Sequence, residues 1–277
     1  MKKALFFLTV LGLISTQLQA QWKSLFNGKN LSGWDTYLGP PFPAVGENRT
    51  GVPPIGLNTD PKKVFSVVKL EGENVMRISG ENFGGISTKD EFENYHLRLE
   101  FKWGKLKWPP KENSKMDSGL LYHANGKHGA DSGFWMQSQE FQIQEGDCGD
   151  YWGCAGAIFD VPAVKDAKGE YHYSKKGELL TFQDKTPVGR HCIKEPDAEN
   201  PTGEWNTVDL YCFGDTAVHV INGKVTMVLY HSKRKVENGL EPLKKGKIQI
   251  QCEGAEVFYK NIKIESIAAL PTHLTGN

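Results

Sequence analysis

Neither sign of charge is in excess: Lys+Arg and Asp+Glu number 33 each and are interspersed along the chain. Without a basic stripe or an acidic tail, no nucleic-acid partner is expected. Cysteine is scarce and odd in number, with Cys148, Cys154, Cys192, Cys212 and Cys252. Five cannot all pair within one chain, and no spacing matches the Cys-x-x-Cys of a zinc or redox site. A local Cys148–Cys154 bridge is open to an exported chain. Cys212 and Cys252 sit in strand-like runs, where a buried thiol behaves as a small hydrophobe. Long amphipathic helices are missing. So are a Gly-x-Ser-x-Gly elbow, a Walker loop, a dinucleotide fingerprint, a His-Glu-x-x-His motif and an EF-hand loop. These absences set aside the commonest serine-hydrolase, nucleotide-binding and metalloprotease readings.

What is present begins with a leader. Lys2 and Lys3 precede the apolar run Ala4–Ile14, and a polar stretch ends at Leu18-Gln19-Ala20. That is the layout of a secretory signal peptide, with too short an apolar run to span a bilayer comfortably. Residues 1–20 therefore read as a signal peptide and 21–277 as a single β-sandwich domain. A periplasmic or secreted protein is expected, free of the membrane after cleavage. Short alternating runs recur between Gly, Pro, Asn and Asp, which predicts an all-β antiparallel sandwich. The runs are Val64–Val68, Val75–Ser79, Tyr95–Trp103, Leu120–His123, Glu140–Gln144, Trp205–Cys212, Ala217–Ile221, Val225–Tyr230, Lys247–Gln251 and Glu256–Glu265. Asn222-Gly223 between two of them is a hairpin turn, because both residues tolerate positive φ. Gly39–Pro61, Gly104–Lys115 and Asp160–Asn200 read as long loops of the kind that shape binding sites. Gly84-Gly85 and Gly153–Gly156 read as turn glycines.

Alternation sorts the side chains into faces. In Tyr95–Trp103 the apolar residues share one face, and His96, Arg98, Glu100 and Lys102 the other. That second face serves either as solvated surface or as a binding row. In Glu140–Glu145, the residues Glu140, Gln142 and Gln144 share a face opposite Phe141 and Ile143. A carboxylate beside amides can fix sugar hydroxyls and act as acid or base. Asp117 and His123 lie on a nearby strand, and His123 titrates near neutrality unless its role is structural. The seven tryptophans suit sugar stacking as well as core packing; Trp135 joins the substrate-binding candidates. His123, Asp117, Glu140, Glu145 and Asp147 could supply ligands to a divalent ion, with a calcium in the Glu145–Asp150 loop as one form of this.

Several motifs together resemble the 3-keto-disaccharide hydrolase domain family. They are Trp22–Trp34 (WKSLFNGKNLSGW), Leu97–Lys102 (LRLEFK), Asp117–Leu120 (DSGL), Glu140–Ile143 (EFQI), Trp205-Asn206, His219–Gly223 (HVING) and Gly246–Ile264. The resemblance covers nearly all of the chain after the leader. His123 and Asp117 depart from an arginine and an asparagine common at these places. The Trp108-Pro109-Pro110 loop, the Asn125–Gln139 stretch and Gln251-Cys252-Glu253-Gly254 depart as well.

The resemblance implies a concanavalin A-like jelly roll whose concave sheet holds a carbohydrate, and action on 3-keto-glycosides. A C3 ketone acidifies the C2 proton, so a base can remove it and expel the C1 substituent by β-elimination; water then adds. On that implication the catalytic expectation is Glu140 or His123 as base and Lys102 holding the enolate. Glu100, Gln142, His219, Asp117 and Trp135 would bind substrate. The resemblance fixes no cofactor, and a divalent metal ion could assist or replace Lys102. Two alternatives stand beside this: a glycoside hydrolase using two carboxylates such as Glu140 and Glu100, and a non-catalytic carbohydrate-binding protein.

Overall fold

The computed structural model describes residues 21–42 and 51–275. The expected signal peptide lies outside the described residues, as does part of the Gly39–Pro61 loop. Among the described residues no helix is long and apolar enough to cross a membrane.

Strand alternation builds two layers. In Tyr95–Lys107 the residues Tyr95, Leu97, Leu99, Phe101 and Trp103 are buried, while Arg98, Glu100 and Lys102 between them stay partly open. In Gln137–Gln144, Phe141 and Ile143 enter the core, and Glu140, Gln142 and Gln144 face the other way. Among the described residues, twelve strands join one sheet and eight the other. The larger sheet centres on Asn206–Phe213, Tyr95–Lys107 and Ala255–Ser266. The smaller runs in the order His191–Cys192, Tyr151–Cys154, Gln137–Gln144, Asp117–Asn125, Lys247–Cys252, Gly84–Thr88, Trp34–Leu38, Gly56–Leu57.

All of the named strand ladders are antiparallel. The inner faces of the two sheets close on one apolar cluster that runs from Phe26 to Leu274. The fold is the expected jelly-roll sandwich of concanavalin A-like type.

All ten expected strands fall on observed ones. Asn222 and Gly223 turn between Thr216–Ile221 and Lys224–Val236 with φ of 49° and 77°. Several loop and turn expectations are corrected: Gly104–Lys107 continues the Tyr95–Lys107 strand, Gly56–Leu57 is a short strand, and Gly153 lies in the Tyr151–Cys154 strand. Asp160–Asn200 is not a free loop: it carries Tyr171–Tyr173, Glu178–Phe182 and His191–Cys192. Glu178–Phe182 is largely exposed and pairs with Ala157–Lys165 as an added edge strand. Gly84 and Gly85 are not turn glycines but lie in a buried strand. A Cβ on Gly85 would lie 2.9 Å from the Gln249 side chain, so that strand needs a residue without one.

One bulge reverses a side chain. Strict alternation would set His123 on the outer face with Asp117 and Gly119. The ladders slip between Tyr122 and Asn125 and between Lys247 and Gln249, and His123 takes φ of 52°. A bulge of this kind re-aims the side chain. The imidazole turns into the core, 5.8 Å from the Tyr95 ring and 5.4 Å from that of Tyr122.

Candidate active site

A cleft of about 260 Å³ opens on the outer face of the smaller sheet. Its floor follows from register. Gln144 stands opposite Asp117, Gln142 opposite Gly119, and Glu140 opposite both Leu121 and Trp152. Outward residues two apart on one strand therefore line up across three strands, the arrangement that alternation dictates. Gly119 makes the floor deep: a Cβ there would lie 2.5 Å from both Glu140 Oε1 and Gln251 Oε1. The two side chains reach over the space that the missing Cβ leaves.

Glu140 is almost wholly buried, and the Cys154 thiol donates to its Oε2 at 3.0 Å. Burial is the main reason that its carboxyl is pushed up to about 8; the Cys154 hydrogen bond and Arg190 pull it down, and Asp117 and Asp131 push it up. Burial, then the neighbouring Glu140, holds the Cys154 thiol well above its ordinary pKa, so it stays an S–H donor.

A second group surrounds Lys111. Its ammonium pairs with Asp117 Oδ2 and with Glu253 Oε1, the latter at 2.5 Å, and Gln144 Nε2 donates to Asp117 Oδ2 at 2.6 Å. Burial works against the charge on Lys111, but Glu253 and Asp117 outweigh it and raise its pKa. Asp117 is raised chiefly by burial, and Glu253 is raised well above the usual carboxylate range by burial and by Asp117. The buried Asp117 and half-buried Glu253, with Glu140 close by, exceed what one ammonium neutralises, so this group holds protons that free carboxylates release.

A third group forms the opposite wall. Arg190 Nη1 donates to Asp131 Oδ2 at 2.8 Å and to the Gly153 carbonyl at 3.3 Å, and its guanidinium sits 5.5 Å from the Trp152 ring. Trp152 stacks on His191 at 4.1 Å, and His191 Nε2 pairs with Asp150 at 2.8 Å. Trp135 closes another side, its indole donating to the Gly84 carbonyl at 2.9 Å.

Of the expected site residues, Glu140, Gln142, Asp117 and Trp135 meet in this cleft. Lys102 and Glu100 do not. They lie on the outer face of the larger sheet, with Lys102 paired to Glu71 at 2.5 Å and Glu100 accepting from Asn261 at 2.7 Å. The sandwich core separates them from Glu140, which removes Glu100 as its partner acid and Lys102 as its enolate cation. His123 is held in the core by its bulge. Its Nδ1–H donates to the Leu243 carbonyl at 3.1 Å, and burial lowers its pKa to about 4. His219 is also a core residue, stacked 4.0 Å from Phe141. Its Nδ1–H donates to the Gly149 carbonyl, and its Nε2 accepts from the Tyr122 hydroxyl at 2.9 Å.

Residues that sequence reasoning did not place in the site are Lys111, Asp131, Trp152, Cys154, Arg190, Gln251 and Glu253. The signal for several was their position in stretches that depart from the family pattern or read as loops. Lys111 follows Trp108-Pro109-Pro110, Asp131 lies within Asn125–Gln139, and Arg190 within Asp160–Asn200.

The five expected metal ligands do not form one set. Asp117 and Glu140 share the cleft, whereas His123 is in the core. Glu145 accepts from Thr202, and Asp147 pairs with Lys115. Among the described residues, the grouping with ligand atoms within 4.8 Å of one another is Asp166, Glu170 and His172, near the Tyr171–Tyr173 strand of the larger sheet. There Asp166 already accepts from the Lys168 and Glu170 amides. All five cysteines are free. Cys148 packs in the main core and Cys154 in a separate small cluster beside Phe83, Leu121, Phe134 and Trp135, so the local bridge does not form.

Among curated proteins none matches this chain. Among solved structures, one described as a "putative glycosyl hydrolase" from Parabacteroides distasonis is 21% identical. It covers 89% of this chain and 100% of that one at a TM-score of 0.48. A second of the same description and organism is 18% identical, covering 89% and 94% at a TM-score of 0.48. A carbohydrate binding module from Bacillus subtilis is 8% identical, covering 73% and 92% at 0.41. The profile of the 3-keto-alpha-glucoside-1,2-lyase-like domain matches residues 21–265, so this chain belongs to that family and is a carbohydrate-active protein of glycosidase type.

Proposed function

We propose that the chain is an exported enzyme that cleaves 3-keto-glycosides by elimination and hydration. The observation that carries this reading is Glu140, a buried carboxylate poised near neutrality in a cleft that also holds the Arg190 guanidinium. Glu140 Oε1 takes the C2 proton, and the C2–H electrons move toward C3 as the enolate. Arg190 stabilises the enolate oxygen. Its hydrogen bonds to protein run from Nη1, and it is close enough to lower the pKa of Glu140. Collapse of the enolate forms the C1=C2 bond and breaks the bond from C1 to the leaving oxygen. Glu253, held protonated beside Lys111 and Asp117, supplies the proton that oxygen needs. Water then adds at C1, C2 regains a proton, and the net change is hydrolysis.

Product analysis tests this with a 3-keto-glucoside and its unoxidised parent, each with and without EDTA. Release of aglycone from the keto substrate alone supports elimination. Release from the parent favours a two-carboxylate hydrolase, and binding without any product favours a carbohydrate-binding role. Loss of release with EDTA adds a metal.

A further inference from the structure

We propose that the floor of the cleft beside Gly119 is a subsite for two hydroxyl groups of a sugar ring, with Asp117 Oδ1 and Gln251 Oε1 as its paired acceptors. The proposal deepens the reading of this cleft and rests on it for the carbohydrate, but not for the elimination step.

Two buried acceptors stand without donors. Asp117 and Gln251 are 2% and 1% exposed, and Asp117 Oδ1 and Gln251 Oε1 have no hydrogen-bond partner. Asp117 spends its other oxygen fully, since Oδ2 takes both Lys111 and Gln144. The backbone carbonyl of Gln251 is likewise taken, by the Ser118 hydroxyl at 2.8 Å. Buried carbonyl and carboxylate oxygens are normally satisfied, and orphans in a native fold mark a missing partner. These two line the same cleft. Gly119 lets Gln251 Oε1 and Glu140 Oε1 sit together over its backbone, because a Cβ there would meet both at 2.5 Å.

The chemistry asks for neutral donors. Lys111 already meets the charge of Asp117, and Gln251 is an uncharged amide, so the pair offers lone pairs without an unmet negative charge. Sugar hydroxyls supply such donors, and Trp135 and Trp152 line the same cleft. Cys154 binds Glu140 through Oε2, which leaves Oε1 toward Gly119 and places the bound hydroxyls beside the reactive carboxyl.

The test is binding rather than turnover. Methyl glucopyranoside and its 2-, 4- and 6-deoxyfluoro analogues are titrated into the wild-type chain and into Gln251→Leu and Asp117→Asn by calorimetry. Fluorine keeps the size of the hydroxyl and removes its donor. At least one analogue should bind about tenfold more weakly than the parent to wild type, and that penalty should shrink to about twofold in Gln251→Leu or Asp117→Asn. Equal binding of all analogues overturns the proposal, as does a penalty that persists in both variants or no binding of the parent. Stoichiometric binding of calcium or manganese that depends on Gln251 would also overturn it, making the pair a cation site. Turnover of a 3-keto-glucoside is scored separately: turnover with uniform binding removes the subsite and keeps the reaction, while selective binding without turnover does the reverse.

Discussion

The Cys154 thiol donates a hydrogen bond to Glu140 Oε2 at 3.0 Å, linking neighbouring strands of the smaller sheet inside the cleft. A thiol is a weak donor, so it orients the carboxylate while lowering its pKa less than a hydroxyl would. The rate should therefore follow deprotonation of Glu140, with kcat/KM rising with pH through about 8. Cys154→Ser should move that limb to lower pH and Cys154→Ala to higher pH. Identical profiles for all three proteins would show that the contact does not tune the base.

Glu140→Gln should abolish turnover and leave the fold intact. It should also change stability with a definite sign. The carboxyl of Glu140 titrates near 4.5 in the unfolded chain and at about 8 in the folded one. Its contribution is fully present below 4.5 and is lost as pH rises through about 8. Glu140→Gln removes that dependence, so thermal melts should show the variant gaining on wild type between pH 5 and 9. A constant difference across that range would mean that Glu140 is not buried as a neutral acid.

Gly119→Ala should disable the cleft without unfolding the sheet. The new methyl would meet Glu140 Oε1 and Gln251 Oε1 at 2.5 Å, and both must shift. A displacement of about 1 Å at a reacting group costs on the order of 100-fold in rate. Near-wild-type kcat/KM in a folded Gly119→Ala protein would mean that Glu140 does not act from its observed position.

Arg190→Met should lower kcat by about 100- to 1000-fold with a smaller effect on KM, as expected for a group that holds charge in the transition state. Lys102→Ala is the counterpart. Its ion pair with Glu71 lies on the far side of the sandwich, so kcat/KM should stay within about twofold and stability should be nearly unchanged. A large kinetic loss in Lys102→Ala would contradict the separation of the two faces.

The core histidines predict an acid limit. Burial lowers His219 to about 3 and His123 to about 4, against 6.5 when unfolded. The unfolded chain takes up protons that these rings refuse, so stability present above 6.5 falls as pH drops toward 3–4. Melting temperature measured between pH 7 and 4 should show that fall, with a smaller slope in His219→Gln.

The sequence by itself determined ten of the strands, most of their faces and one row of the cleft floor. Period-two alternation is a local property, so Phe141 and Ile143 went inward and Glu140, Gln142 and Gln144 outward without reference to the rest of the chain. The Asn222-Gly223 turn was equally local, since it needs only positive φ. The opening LFNGKNLSGW and the later motifs carried the family. Tertiary structure decided which outer face carries the cleft. Glu100 and Glu140 both alternate away from the core, yet they stand on different sheets, and nothing in either strand records the thickness of sandwich between them. It also decided His123, whose face was inverted by a bulge that depends on how two ladders slip. Lys111, Asp131 and Arg190 come from irregular segments without a period to read. Their contacts are fixed by where those segments dock, through the pairing of His191–Cys192 with Tyr151–Cys154 and the Asp131–Arg190 bridge.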